Sequence, residues 1–236
     1  MTVDQRIKEL QSSGSEIFDS VLRNGNAPLK VTILESKNVD KKGYVKYQDV
    51  ESQATSKRGT AILPWIRIMG GPGVTMIPIV TIGGKELISM LYKPQPPVGE
   101  WSIELASGTV KKGENHPNAA TRELREELKL NPGKIEYFGT FAHAKFRLGW
   151  FDRTYLMRDV VPIIGAVGED NEEKATMHIA LSIPQIKELI SADRLTNSAT
   201  ANMLMRYIYF SENKGLEEYL SKMLRLEAEF NRNLSG

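Results

Sequence analysis

Apolar side chains recur at every second position in some runs of this chain and at helical spacing in others, so strand and helix periods are both present. Ile7, Leu10, Ile17, Phe18, Val21 and Leu22 form an approximate helical stripe over residues ~4–23, interrupted at Ser12-Ser13-Gly14. It predicts a broken helix packed on the body or on a second subunit. Leu29, Val31 and Ile33, a turn-rich Asn38 to Gly43, and Tyr44 to Val50 together predict a β-hairpin. Gly59 to Ile68, Met76 to Ile82, Leu87 to Lys93 and Trp101 to Ala106 predict further strands, followed downstream by Lys134 to Ala142, Trp150 to Val160 and Ala175 to Leu181. The glycine run between Met69 and Gly73 lacks phosphate-loop spacing and reads as a turn.

One helix is embedded among these strands. Pro117 suits a first turn, where a missing N–H costs nothing, and Ala119 to Leu128 are good helix formers, which predicts a helix over residues ~117–130. Late in the chain, Ser182-Ile183-Pro184-Gln185 has the form of a helix start leading into Ile186 to Ala192. Asn197 to Phe210 and Leu216 to Leu234 follow as helices, the last with Tyr219, Leu220, Met223, Leu226 and Phe230 at helical spacing. Strands around one embedded helix, with helices late, make a mixed α/β (α+β) sandwich.

Composition narrows the functional classes. The chain has 236 residues, 41% hydrophobic and 25% charged, an ordinary globular balance. A net charge of +2 gives no broad electrostatic footprint for nucleic acid. The absence of cysteine removes disulfides, thiolate zinc sites and thiol nucleophiles. A polar N-terminus without an apolar run predicts a cytoplasmic protein with no membrane partner.

The embedded helix carries the candidate chemistry. Glu123 and Glu127 are i,i+4 neighbours and Glu126 stands i+3 from Glu123, so these carboxylates share a face. Like charges so placed cost a helix ~0.2–0.5 kcal/mol per pair, and Glu114 adds another carboxylate from the preceding loop. A hard divalent cation would relieve the repulsion. Arg122, Arg125 and Lys129 are interleaved, so a solvated, internally balanced face fits the same residues. On the helix alone the solvated face is the favoured reading.

The spacing of the longer stretch adds a resemblance. Gly108, Glu114, Arg122-Glu123-Leu124, Glu126-Glu127 and Leu130 stand as in the signature of the Nudix hydrolases, with Lys129 where the family has glycine. That glycine usually ends the helix in a left-handed conformation, which a residue with a Cβ enters at ~1–2 kcal/mol. Asn131-Pro132-Gly133 follows at once, so the helix is expected to stop later than in the family. Val80 to Lys85, Leu91-Tyr92-Lys93-Pro94 and Glu104-Leu105-Ala106-Ser107-Gly108 resemble the ADP-ribose and nucleotide-sugar pyrophosphatases within that family. Those relatives have Gln-Tyr-Arg and Glu-Leu-Pro-Ala-Gly there, so Lys93 and Ala106-Ser107 are departures; so is Phe146, where ADP-ribose pyrophosphatases often carry proline.

The resemblance implies a Nudix-type α/β/α sandwich with a mixed sheet. It implies an N-terminal helix and hairpin extension over residues 1–58 that builds a homodimer, a hydrolase domain over 59–212 and a C-terminal helix over 213–236. The implied activity is metal-dependent hydrolysis of a nucleoside diphosphate sugar, ADP-ribose leading, to a nucleoside monophosphate and a sugar phosphate. Mg²⁺ or Mn²⁺ would be held by Glu123, Glu126 and Glu127 with the backbone carbonyl of Ser107, and Arg122 would orient a signature glutamate. By analogy Glu172 or Glu173, in the acidic run Val167 to Lys174, serves as base or additional ligand, although such a loop is often only solvated.

Substrate contacts are assigned to Lys93, Tyr47, Trp65 and Arg147. Tyr47 and Trp65 would stack on the nucleobase, with core packing the ordinary alternative for Trp65. Arg147 closes the basic and aromatic run Phe141 to Arg147, which contains His143; a grip on phosphate or base and a polar strand turn both fit it. Two other readings keep the fold: hydrolysis of a dinucleoside polyphosphate or a modified nucleoside triphosphate, and a non-catalytic nucleotide sensor. Sensors tend to lose signature carboxylates, and Glu123, Glu126 and Glu127 are all present. The isomerase branch of the family needs a cysteine that this chain lacks.

Overall fold

The computed structural model describes residues 46–56, 59–69, 71–95, 100–142, 151–164 and 176–234, together with single helical positions between Gln5 and Asp19. Leu29 to Ile33, His143, Arg147, Glu172 and Glu173 lie outside the described residues. Ser12, at the start of the expected break, and Ser15, just after it, are both helical, and Phe18 is buried in the main core.

β1 (Lys46–Ser56) and β2 (Gly59–Met69) form an antiparallel two-stranded ladder, Lys46 opposite Met69 and Ser56 opposite Gly59. The strand predicted from Tyr44 thus runs on to Ser56, and its described partner is β2.

The body is a seven-stranded mixed sheet. Its path runs β11 (Met177–Leu181), β4 (Lys85–Gln95), β3 (Gly73–Ile82), β9 (Phe151–Arg158) and β8 (Lys134–Ala142). β3 and β9 are parallel and the other neighbours antiparallel. β5 (Glu100–Glu104) and β6 (Ser107–Thr109) lie off this path. β3 pairs with β4 only from Ile79–Ile88 to Ile82–Lys85, and Pro78, next in line, has no N–H with which to extend the ladder. Beyond that point the segment from Glu100 to Thr109 enters between them. β5 pairs with the end of β4, β6 with the start of β3, and Met76 N donates to Ala106 O at 3.0 Å.

Side chains alternate across this sheet and feed two cores. Ile77, Ile79, Ile88, Met90, Tyr92, Ile103, Phe138, Leu156, Ile179 and Leu181 pack with helices α2 (Ile183–Ser191), α3 (Ser198–Glu212) and α4 (Leu216–Leu234) through Ile186, Leu189, Met203, Leu204, Tyr207 and Leu220. Val74, Met76, Val80, Leu87, Leu91, Tyr155 and Met157 pack on the other face against α1 (His116–Leu128). The result is the α/β/α sandwich expected from the sequence. No helix among the described residues is long and apolar enough to cross a membrane.

Helix α1 begins one residue before the expected position. Asn115 caps it by accepting from Asn118 N at 2.8 Å, and Pro117 sits in the first turn. The helix ends at Leu128, earlier than expected, and Lys129 itself takes the left-handed conformation (φ 56°, ψ 41°) with its N–H donating to Leu124 O. Asn131-Pro132-Gly133 therefore does not supply the stop. Tertiary pairing explains the choice: β7 (Leu130–Asn131) pairs with β10 (Val161–Pro162), and Ile163 N donates to Lys129 O at 2.8 Å, so the chain must turn at this residue. The Lys129 ammonium compensates by donating to Glu126 O at 2.6 Å, at the negative end of the helix.

Lys129→Gly should consequently stabilise the protein. Relief of the left-handed strain, ~1–2 kcal/mol, exceeds the extra freedom that glycine gives the unfolded chain, ~0.4–1 kcal/mol. Urea unfolding should show a gain of about 0.5–1 kcal/mol, and an unchanged or lower midpoint would contradict the strain argument.

Candidate active site

Gly108 brings the loop and helix parts of the site together. On β6 it lies against α1 so closely that a Cβ there would fall on the Glu123 carboxyl group. Buried Ala119 and Ala120 give α1 small side chains on its inner face, beside Leu124 and Leu128. Glu127, one turn beyond Glu123, accepts from Ser107 N at 3.0 Å. Both carboxylates therefore reach β6, while Glu126 points outward with half of its side chain exposed.

Arg122 gathers the other acidic groups. Its Nε and Nη2 donate to the two oxygens of Glu114 at 2.9 and 3.0 Å. Nη1 donates to Glu123 Oε1 at 2.6 Å and to Glu126 Oε2 at 2.8 Å, and Nη2 also reaches Thr109 O at 2.9 Å. A planar fork of fixed donors suits this task, which a lysine could not perform in the same geometry. The repulsion expected along α1 is thus met from within the helix. The solvated-face reading fails in part, since Arg122, Glu114 and Glu123 are each at least four-fifths buried at the side chain.

Glu114 feels this most. Hydrogen bonds from Arg122, then from Lys111 N, lower its pKa from 4.5 to about 2, against a small opposing effect of burial. His116, at the start of α1, is half-buried rather than a free surface group. Its pKa is lowered by burial and by Arg153, with Asp152 opposing.

The donor chemistry fits a hard divalent cation. Glu123 and Glu127 offer carboxylate oxygens at the edge of β6, and the space that a Gly108 side chain would fill holds one of them. Among the described residues no group of three acidic or histidine side chains is arranged as a finished cage. A finished cage is unnecessary for Mg²⁺, which takes a few carboxylates and completes its shell with water and substrate phosphate.

The predicted site residues divide by location. Arg122, Glu123, Glu126, Glu127 and Ser107 are brought together across α1 and β6. Lys93 lies on β4 opposite Ser102, its ammonium 3.9 Å from Glu104 Oε2 and mostly buried. Tyr47 and Trp65 lie on β1 and β2, opposite Ile68 and Val50 respectively.

Sequence reasoning missed a buried polar cluster behind Ser107. Glu104 Oε1 accepts from Gln95 Nε2 at 2.8 Å and from Asn197 Nδ2 at 3.0 Å, and Leu105 N donates to Thr200 Oγ1 at 3.1 Å. The helix start at Asn197 was visible in the sequence. Its partners, far back along the chain, carry no local signal.

A NUDIX domain model matches residues 71–198, which hold β3 through the first residue of α3. The chain belongs to the Nudix family. It is similar to a protein described as an uncharacterised Nudix hydrolase of Schizosaccharomyces pombe, 28% identical over 128 residues, 54% of this chain and 53% of the relative. The chain thus spans about half the length of that curated relative. A solved structure described as an ADP compounds hydrolase superposes with a TM-score of 0.60, covering 80% of this chain and 98% of that one. At 16% identity that likeness shows a shared Nudix fold alone.

Two outcomes test this geometry. Gly108→Ala should overpack the contact with Glu123 and cost about 1–3 kcal/mol in urea unfolding. Most of that cost should vanish in a Glu123→Ala background; full additivity would mean that the two groups do not meet. The lowered Glu114 pKa means that its bonded carboxylate contributes stability above about pH 4.5, which is lost as pH falls through about 2. Glu114→Gln should flatten acid unfolding in that window, and an unchanged acid limb would break the assignment.

Proposed function

We propose that this chain is a metal-dependent Nudix pyrophosphatase that hydrolyses the diphosphate bond of a nucleoside diphosphate sugar, ADP-ribose leading, to a nucleoside monophosphate and a sugar phosphate. The observation that carries the reading is the convergence of Glu123 and Glu127 on β6, with Gly108 vacating the space that the Glu123 carboxylate fills. The ADP-linked substrate class draws support from the resemblance of Leu91 to Gly108 to the ADP-ribose pyrophosphatases and from the shared fold with an ADP compounds hydrolase.

Glu123, Glu127 and the Ser107 carbonyl would hold Mg²⁺ or Mn²⁺, with Glu126 completing the acidic set on the open side. A cation so held neutralises diphosphate oxygens and makes bound water a better nucleophile. Arg122 keeps the carboxylates of Glu123 and Glu126 in a fixed orientation through Nη1. In the reaction an oxygen–phosphorus bond forms from water as the bridging phosphorus–oxygen bond breaks, and the leaving phosphate keeps the electron pair. A carboxylate accepts the water proton, and we assign that role to Glu126, Glu172 or Glu173. Lys93 and Arg147 are assigned to phosphate, Tyr47 and Trp65 to the nucleobase, and the N-terminal extension to a homodimer.

The decisive experiment is a panel of ADP-ribose, ADP-glucose, UDP-glucose, a diadenosine polyphosphate and nucleoside triphosphates, run with Mg²⁺ or Mn²⁺ and product identification. Release of a nucleoside monophosphate from ADP-ribose should depend on the cation. It should fall by at least about 100-fold in Glu127→Gln, the scale on which one charge-stabilising group acts. Preference for the polyphosphates would move the substrate class, and binding of ADP-ribose without turnover would replace the enzyme by a sensor.

A further inference from the structure

The strand segment expected to supply a backbone ligand is held from behind by a helix that contributes nothing to the signature. Each residue from Glu104 to Ser107 has a specific anchor. The Glu104 carboxylate accepts from Gln95 and Asn197 and faces Lys93. Leu105 N donates to the Thr200 hydroxyl, Ala106 O accepts from Met76 N, and Ser107 N donates to Glu127. Two of these anchors belong to the first turn of α3. Asn197 is its N-cap, with Oδ1 accepting from Thr200 N at 2.9 Å while the amide nitrogen of the same side chain serves Glu104. Thr200, Leu105 and Glu104 are all buried, so water does not substitute readily for these bonds.

We propose that Asn197 and Thr200 are positioning residues for the cation site: through Glu104 and Leu105 the first turn of α3 sets where the Ser107 carbonyl points. This rests on the metal-dependent reading above. Only two soft dihedrals, φ and ψ of Ser107, separate its carbonyl from the preceding peptide plane, and the pairing of Ser107 with Thr75 restricts both. With the Leu105 N–H and the Ala106 C=O fixed on two different elements, little rotation remains for Ser107. Asn197 is suited to the task because its amide has both a donor and an acceptor, one end capping α3 and the other gripping Glu104.

The test measures binding of Mn²⁺ alone, by electron paramagnetic resonance of the free ion, and the Mg²⁺ dependence of hydrolysis. Thr200→Val keeps the shape and removes the hydroxyl, and it should weaken Mn²⁺ by about 10-fold, the lower end of the range for groups that orient a metal ligand. The KM for nucleotide at saturating Mg²⁺ should change less than the Mg²⁺ requirement. Thr200→Ser should restore both values.

Asn197→Ser gives a second readout that does not rely on the Thr200 variant folding. Serine caps a helix as well as asparagine, yet it lacks the amide that grips Glu104, so Mn²⁺ should weaken while thermal unfolding of α3 is retained. Wild-type Mn²⁺ affinity in Thr200→Val and Asn197→Ser, or failure of Thr200→Ser to rescue, overturns the positioning role alone. A wild-type chain that binds no Mn²⁺ overturns the metal-dependent reading, and this inference with it.

Discussion

The separation of β3 from β4 beyond Ile79–Ile88 is the constraint on which the site depends. A continuous β3–β4 ladder would leave no room for Glu100 to Thr109, and the glycine on β6 would have no strand to carry it. Inserted there, β5 completes the hydrogen bonds of β4 and β6 those of β3, so the backbone groups exposed by the splay are satisfied by the inserted segment. The insertion also sets the height of β6 against α1. Helix α1 can approach because its buried face is built from Ala119, Ala120, Leu124 and Leu128.

Charge balance at the site follows from one guanidinium. Arg122 serves Glu114, Glu123 and Glu126 at once, so α1 tolerates its acidic face without a bound ion. The arrangement leaves Glu127 to β6 rather than to Arg122. Two carboxylates one helical turn apart are thus given different tethers, one to a side chain and one to a peptide N–H. Fixed donors limit how far either can move when charge arrives near them.

Local signals carried much of this structure. Alternation placed β3, β4, β5, β8, β9 and β11 but not the short β6, β7 and β10, Pro117 placed the start of α1, and Ser182 and Gln185 form the reciprocal capping pair that their spacing suggested. The resemblance to the Nudix signature grouped Gly108 with Glu123 and Glu127 before any geometry was known. What local reading missed was set at a distance. Lys129 turns because β7 must meet β10, overriding the better turn chemistry of Asn131-Pro132-Gly133. The pairing of β1 with β2 was not foreseen, because a strand's own period does not say which neighbour it takes. The bonds from Asn197 and Thr200 to Glu104 and Leu105 cross 93 and 95 residues of chain, beyond any local pattern.

Helix α4 closes the far side of the sheet. Among the described residues β8 is the last strand on its path, and α4 lies along it, with Tyr219 Oη donating to Phe138 O at 2.6 Å and Glu227 reaching Arg153 and Tyr155 on β9. An open last strand offers its peptide groups to any other chain that can pair with them. At Phe138 the C-terminal helix takes up one such carbonyl through Tyr219, so part of this edge is engaged by the chain itself.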